Sequence, residues 1–327
     1  MTKAMILAAG VGSRLDPITQ HLPKPLVPVL NTPVIEHILC GLKQHGISEV
    51  IANTHYLAEN LHSYFHENPV QGVNIHFLFE SVLSGDAGGV RACKNFLSDD
   101  TFVVIMGDLI TNADISGLVR AHKNKGAIAT IGVKRVADVT RFGVVKRNEQ
   151  GFIKEFQEKP QAHEAISNDI STGIYVLEPE VFKHIPESGV YGFGKQLFPS
   201  LVQKGLPVLG EDIHGFWSDI GTLDDLFAAN MSALAGRIMP WKAYECNSRK
   251  HPGTKFVERF LLGSNCEMSE GGLIGPNAIV GNDCKIGKNV KMDNALIFPQ
   301  STIPSGLKIR NCIYAFNEVV PVSFRSL

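Results

Sequence analysis

Cysteine is scarce in this chain, and what there is does not cluster. Six cysteines (Cys40, Cys93, Cys246, Cys266, Cys284 and Cys312) are spread over 327 residues, and no two form a C-x-x-C pair. That spacing argues against a structural zinc and against a disulfide framework, so the thiols are expected to be reduced and packed. No apolar run approaches the roughly 18 residues of a membrane helix. Lys3 with Ala4–Ala9 is too short for a signal peptide, and a glycine loop and Arg14 interrupt it; the mature chain is expected to start here, in the cytoplasm. No block of one charge sign occurs: 31 Lys and Arg oppose 32 Asp and Glu, a net charge of −1. A basic footprint is missing, so neither nucleic acid nor a membrane is expected as a partner. What is present is a globular composition, 44% hydrophobic and 19% charged, at a length comfortable for two domains.

The chain is organised around Lys3–Lys24, K-A-M-I-L-A-A-G-V-G-S-R-L-D-P-I-T-Q-H-L-P-K. A short apolar run, long enough for one buried strand, breaks at Gly10 and Gly12. Glycines one residue apart let the backbone turn tightly and approach a ligand with no Cβ in the way. Such a loop aims successive N–H groups at phosphate oxygens, and Arg14 and Lys24 supply two cations. The pattern reads as a polyphosphate site. Two other phosphate fingerprints are incomplete. Leu15 stands where G-x-G-x-x-G needs its third glycine, and no Gly-Lys-Ser/Thr is present.

Beyond Lys24 the text alternates strands and helices. Pro33 opens a helix whose Ile35, Ile38, Leu39 and Leu42 recur at helical spacing until Gly46. Glu49–Asn53 is a strand, Ala58–Phe65 a helix and Asn74–Phe79 a strand, the rhythm of a mostly parallel sheet with covering helices. His62 and His66 are four apart, yet no carboxylate or cysteine joins them, so they read as a solvated helix face. Glu80–Gly89 is a second glycine-rich loop, with a helix over Val90–Phe96. Thr101–Met106 is a strongly apolar strand ending in Gly107-Asp108. A carboxylate just past such a strand sits where open α/β sheets hold their ligands. Asp114–Lys125 is a helix, and Phe142–Val145 and Ile153–Phe156 are paired strands. Glu158-Lys159-Pro160, Ser171–Val176 and Gly215–Thr222 follow. Thr222 caps a helix Leu223–Leu234, with Asp224 and Asp225 favouring its dipole.

These blocks together resemble the sugar-nucleotide pyrophosphorylases. Leu7-Ala8-Ala9-Gly10-Val11-Gly12-Ser13-Arg14-Leu15, then Pro23-Lys24-Pro25-Leu26, is similar to that family's L-A-[GA]-G-x-G-[TS]-R-[LM]…P-K-P-[LM]. The resemblance covers 1–236. It implies an α/β catalytic domain with a Rossmann-like, mostly parallel sheet. It implies that Leu7, Ala9, Gly10, Gly12, Ser13, Glu80, Gly85 and Asp86 bind the nucleotide, with Asp86 standing where Thr is usual. It implies that Gly143, Glu158, Lys159, Thr172 and Trp217 surround the sugar phosphate, and that Asp108 and Asp219 hold Mg²⁺. Ser171 replaces the Asn usual in N-T-G-I-Y.

Past residue 237 the composition shifts. A linker is expected over 237–250 and a second domain over 251–327. Ile274-Gly275, Val280-Gly281 and Ile286-Gly287 repeat at six residues with Met292 in phase, resembling the hexapeptide repeat of the left-handed parallel β-helix. Three hexapeptides make one coil, so Cys266 and Cys284, 18 apart, are expected to stack. About four coils are expected, with the phase breaking near Phe298–Pro304. Glu318–Phe324 is expected to cap the end or to meet another subunit, and a homo-oligomer is expected because open coil ends invite pairing.

The implied reaction joins an NTP to a sugar 1-phosphate and releases pyrophosphate. The attacking phosphate is already ionised, so catalysis is positioning and charge neutralisation. Arg14 is expected to hold the leaving pyrophosphate and Lys24 to neutralise charge at the α-phosphate. GTP with mannose 1-phosphate is the first expectation: Val27–Leu39 and Ser171–Phe182 with the β-helix tail look most like bacterial mannose-1-phosphate guanylyltransferases, and Asp86 can accept from the guanine N1–H and amino group. UTP or dTTP with glucose 1-phosphate is the alternative, and a helix cap is the other reading of Asp86. A silent, nucleotide-sugar-sensing relative would be free to lose Arg14, Lys24, Asp108 or Asp219; all four are present.

Overall fold

The computed structural model describes residues 2–237, 251 and 253–323. The chain divides into two compact units. The first comprises residues 1–11, 39–109 and 113–217; the second comprises 12–38, 110–112 and 218–327. The expected linker 237–250 lies outside the described residues apart from Arg237, as does Phe324 of the expected end cap.

The first unit is built on nine strands: β1 (Lys3–Leu7), β2 (Glu49–Thr54), β3 (Asn74–Phe79), β4 (Phe102–Met106), β5 (Ala129–Arg135), β6 (Gly143–Arg147), β7 (Ile153–Glu158), β8 (Asp169–Leu177) and β9 (Val208–Asp212). The order is β7-β6-β8-β4-β1-β2-β3, with β5 on β8 and β9 on β5. β4, β1, β2 and β3 run parallel, and β8 enters antiparallel against β4. Met5, Ile6, Val103, Val104 and Ile105 are fully buried. Buried on both faces, these strands read as unbroken apolar runs rather than alternations. The sheet is therefore mixed and mostly parallel, with the loops that carry the candidate residues at the carboxyl ends of β1, β3 and β4.

The helix after the second glycine loop differs from its sequence reading. It starts at Asp86, not Val90, and spans Asp86–Ala92. Gly85, at φ +82°, makes the entry turn, and the Asp86 carboxylate accepts from the Ala87 N–H at 2.8 Å. Gly88 and Gly89 therefore lie inside the helix, where glycine ordinarily costs helix stability. Their reason is packing: a Cβ at Gly89 would lie 2.6 Å from Asn53 Nδ2.

In the second unit the helix Leu223–Leu234 is capped as expected, Thr222 Oγ1 accepting from the Asp225 N–H at 3.2 Å. Its Asn230 is fully buried and satisfied: Oδ1 accepts from Leu30 N–H at 2.9 Å, and Nδ2 donates to Pro28 O and Leu226 O at 3.1 and 3.0 Å. The short hairpin Pro28–Val29 with Thr32–Pro33 is thus pinned by the helix. Asn31 donates to Val280 O at 2.8 Å, joining the same hairpin to the C-terminal strands.

Those strands form a parallel β-helix with four rungs on two faces and three on the third. The corners fall into columns of left-handed residues: Asn277, Asn294 and Asn311 at one, and Asn265, Asp283, Gln300 and Asn317 at another. Asn and Asp tolerate this conformation best after glycine. The asparagines also form a ladder, Asn277 donating to Asn294 and Asn294 to Asn311 at 2.7 and 3.2 Å. Coil length is 18 residues at first (Leu273 beside Lys291) and 17 afterwards (Ala278 beside Ala295). The residue is lost at the corner Asp293-Asn294, earlier than the phase break expected at Phe298–Pro304. Cys266 and Cys284 stack as expected, in the buried column that Ser301 continues. The hydrogen bond with Cys266, and then burial, raises the Cys284 thiol pKa. Glu318–Pro321 folds back antiparallel on Lys308–Ala315 and closes the last coil.

Candidate active site

The loop expected to hold phosphate starts where β1 ends. Leu7 O accepts from the Gly107 N–H at 2.9 Å, so β1 and the turn after β4 lie against each other. A Cβ on Gly107 would meet Leu7 O at 2.7 Å; glycine is required there, one residue before Asp108. Ala8 and Ala9 are buried, and Gly10 is exposed with open space around it. In the second unit Gly12 is left-handed at φ +73°. Thr19 donates to its carbonyl at 3.0 Å, and Lys24 Cβ lies 3.0 Å from where a Gly12 Cβ would be. Ser13 and Arg14 are exposed on the 3₁₀ turn Ser13–Leu15, and Lys24 opens the turn Lys24–Leu26.

The second glycine-rich loop, expected at the base, is held by a network the sequence did not announce. Asn53, buried at the end of β2, accepts from the Ala8 N–H at 2.9 Å and donates to Glu80 Oε1 at 2.6 Å. The other Glu80 oxygen accepts from the Ser84 hydroxyl and from its N–H, the latter at 3.2 Å. His55 Nδ1 bonds Glu80 O at 2.7 Å. Glu80 is thus fixed at both oxygens, and one asparagine links it to the root of the phosphate loop. The signal for Asn53 was available: a polar residue ending a buried parallel strand, the same logic that singled out Asp108.

Asp86 faces inward. Its Oδ1 accepts from Ala87 N–H at 2.8 Å and from Phe193 N–H at 2.6 Å. Burial raises its pKa, while those amide bonds pull the other way. Asp86 is the first residue of the helix, behind the N-cap Gly85, and makes no side-chain cap bond; the bond to Phe193 was legible in neither sequence reading.

Of the residues expected around the sugar phosphate, Gly143 at the start of β6 pairs with Glu158 at the end of β7. A Cβ on Gly143 would lie 2.5 Å from Phe156 Cζ and 3.3 Å from Glu158 Oε2, and one on Gly194 would collide with the same carboxylate. Two glycines therefore make the room that the Glu158 side chain fills. Burial raises the Glu158 pKa, the neighbouring Asp86 charge adds to the rise, and Lys159 opposes it. Lys159, left-handed at φ +47°, lies 3.8 Å from Glu158 and is largely exposed. Trp217 donates to Thr172 O at 2.9 Å and meets Phe142 edge-on at 5.5 Å. Thr172 itself is buried, its hydroxyl donating to Gly132 O at 2.7 Å. Ser171, in the place of the usual Asn, bonds Tyr175 at 3.2 Å inside the sheet.

Asp108 follows β4 directly. Asp219 closes the strand Trp217–Asp219, which pairs with Leu109–Thr111. Among the described residues no group of three or more His, Cys, Asp or Glu could hold a metal. Asp108 belongs to the first unit and Asp219 to the second; each offers carboxylate oxygens, the donor type that a hard dication takes.

A nucleotidyl transferase family profile matches residues 3–236. A UTP–glucose-1-phosphate uridylyltransferase from Synechocystis sp. is 37% identical, the match covering 94% of this chain and 85% of that one. A mannose-1-phosphate guanylyltransferase from Mycobacterium tuberculosis is 29% identical over 94% of this chain and 82% of its own length. A crystal structure described as a glucose-1-phosphate thymidylyltransferase from Bacillus anthracis superposes with a TM-score of 0.64 at 31% identity, over 73% of this chain and 97% of that one. The chain belongs to the nucleotidyl transferase family, among its sugar-1-phosphate nucleotidyltransferases. Enzymes of this family generally use a divalent metal. No helix among the described residues is long and apolar enough to cross a membrane.

Proposed function

We propose that this enzyme joins UTP to glucose 1-phosphate, giving UDP-glucose and pyrophosphate. The observation that carries the two-substrate reading is the link inside the first unit: the base loop at Asp86 is hydrogen-bonded to Phe193, one residue before Gly194, against which Glu158 packs. Two subsites far apart in sequence are thereby built together. Uracil is preferred to guanine on two grounds. The carboxylate oxygen that argued for guanine is engaged by two backbone amides, and the 37% identical relative is a uridylyltransferase.

In this reading Leu7, Ala9, Gly10, Gly12 and Ser13 line the triphosphate, and Glu80 and Gly85 present the loop to the base. Glu158 accepts from sugar hydroxyls, Lys159 neutralises the sugar phosphate, and Gly143, Thr172 and Trp217 shape its surroundings. Arg14 holds the pyrophosphate as it leaves, and Lys24 meets the charge that develops on the α-phosphate. Each such cation contributes a few kcal/mol to the transition state, on the order of an oxyanion-hole donor. Asp108 and Asp219 would hold Mg²⁺, which when bound neutralises phosphate charge and draws the two substrates together. The sugar phosphate is the nucleophile and is already ionised, so no side chain needs to remove a proton. A homo-oligomer belongs to the same proposal; Phe316 and Val319, exposed on the closing hairpin, support it, and light scattering in solution tests it.

The test crosses UTP, GTP, dTTP and ATP with glucose 1-phosphate and mannose 1-phosphate, reading pyrophosphate release with Mg²⁺. UTP with glucose 1-phosphate should dominate. A dominant GTP–mannose 1-phosphate pair would reverse the substrate assignment and leave the reaction class standing.

A further inference from the structure

We propose that Asp86 is a positioning residue that ties the nucleobase loop to the sugar loop through the strap Tyr191–Gly194. The inference rests on the two-substrate reading above and extends it to a residue whose carboxylate is held by the protein's own amides.

The strap is joined to the base loop at three points, and the segment leading into it through one more side chain. Tyr191 N–H donates to Ser84 O at 2.8 Å, and Gly88 N–H donates to Tyr191 O at 2.9 Å. Phe193 N–H donates to Asp86 Oδ1 at 2.6 Å. Further along the same helix, Arg91 donates to Pro186 O and Gly189 O at 2.8 and 2.9 Å. The approach is close enough that a Cβ on Gly85 would lie 2.5 Å from Tyr191 O.

The other side of the strap supports the sugar loop. Phe193 is buried, its ring 4.8 Å from Tyr175 and 5.1 Å from Phe198. The next residue, Gly194, leaves the space into which Glu158 folds. Phe193 opens a single π-helical turn, Phe193–Leu197, a rare local geometry that concentrates at functional sites. Gln196 Oε1 fixes its start by accepting from the Gly192 N–H at 2.6 Å. Asp86 thus holds one peptide whose neighbour sets the position of Glu158. The base loop has other anchors of its own in Glu80, Asn53 and Ser84. Losing Asp86 should therefore loosen the sugar side more than the nucleotide side.

The experiment measures KM for each substrate of the productive pair in the wild type, Asp86→Ala, Asp86→Asn and Arg91→Ala, with a melting curve for each. A lost charge-assisted bond at Phe193 predicts about a tenfold rise in the sugar-phosphate KM for Asp86→Ala. The nucleotide KM should stay within about twofold. Asn keeps the accepting Oδ1, so Asp86→Asn should recover most of the loss. Arg91→Ala loosens the segment that leads into the strap, with Asp86 intact, and should shift the sugar-phosphate KM in the same direction; it decides the matter should Asp86→Ala not fold. Equal changes in both KM values, no change in either, or an Asn variant as impaired as the Ala variant would overturn the proposal. A wild type that turns over no pair would instead defeat the reaction reading, so the two failures are distinct.

Discussion

Gly194→Ala isolates the position of Glu158 with the least disturbance to the fold. Gly194 is not among the left-handed glycines, so alanine suits the backbone. Its Cβ would lie 2.8 Å from Glu158 Cδ and overlap one carboxylate oxygen. Ordinary carbon contacts begin near 3.4 Å, so the carboxyl group must retreat by about half an ångström or more. What it displaces is the far end of a flexible side chain that is still partly solvated, not backbone. The stability cost should fall at or below the low end of overpacking, about 1 kcal/mol. The functional cost should be larger. Sites tolerate about 0.5 Å of error, and roughly 1 Å costs on the order of a hundredfold. The sugar-phosphate KM should rise about ten- to a hundredfold, with the nucleotide KM nearly unchanged. Steady-state kinetics with each substrate varied in turn, beside a denaturant titration, reads all three quantities. An unchanged sugar-phosphate KM in a folded variant would refute the placement of Glu158 at the sugar. As a contrast, Gly85→Ala sets a Cβ against the Tyr191 carbonyl at φ +82°, and should lose stability outright.

Three further outcomes follow from the same geometry. Asn53→Ala leaves the Ala8 N–H and the Glu80 carboxylate short of a partner in a buried place, and should cost about 2–4 kcal/mol, read by denaturant unfolding. Sugar-phosphate binding needs ionised Glu158, whose pKa lies above the ordinary Glu value, so kcat/KM should fall on acidification through that raised pKa. Asp86→Asn removes a charge that raises it and should move this acid limb to lower pH; an unmoved limb in paired pH profiles would contradict the coupling. At the β-helix corner, Asn294→Gly keeps the left-handed turn but loses the ladder bonds, whereas Asn294→Ala also strains the backbone. The alanine variant should be the less stable by about 1 kcal/mol in chemical denaturation.

Much of this arrangement was legible because a few residue types have narrow physical uses. An apolar run cut by Gly107-Asp108 announces a buried strand and a carboxylate at its carboxyl end, and that is where both lie. The six-residue aliphatic period of Ile274, Val280 and Ile286 announces the coils, since each inward residue needs a like neighbour one coil away. The start of the helix at Asp86 was not legible. Gly88 and Gly89 suggest a loop by propensity, and only the side chains of Ser84, at Gly88, and of Asn53 and Glu80, at Gly89, explain them. The Tyr191–Gly194 strap was equally hidden, because its partners lie about a hundred residues away and bond mostly through backbone. The corner that shortens the coil to 17 residues carries Asp293-Asn294, a pair as suitable for the longer turn as for the shorter one.

The most direct measurement of the central claim is pyrophosphate release from UTP and glucose 1-phosphate with Mg²⁺, in the wild type and in Lys24→Ala. Mg²⁺-dependent release that yields UDP-glucose and falls by roughly a hundredfold or more in the variant is the predicted result, on the scale of one lost transition-state donor. Intact nucleotide binding with no release from any triphosphate and sugar 1-phosphate pair would contradict it, and would leave a nucleotide-sugar sensor in its place.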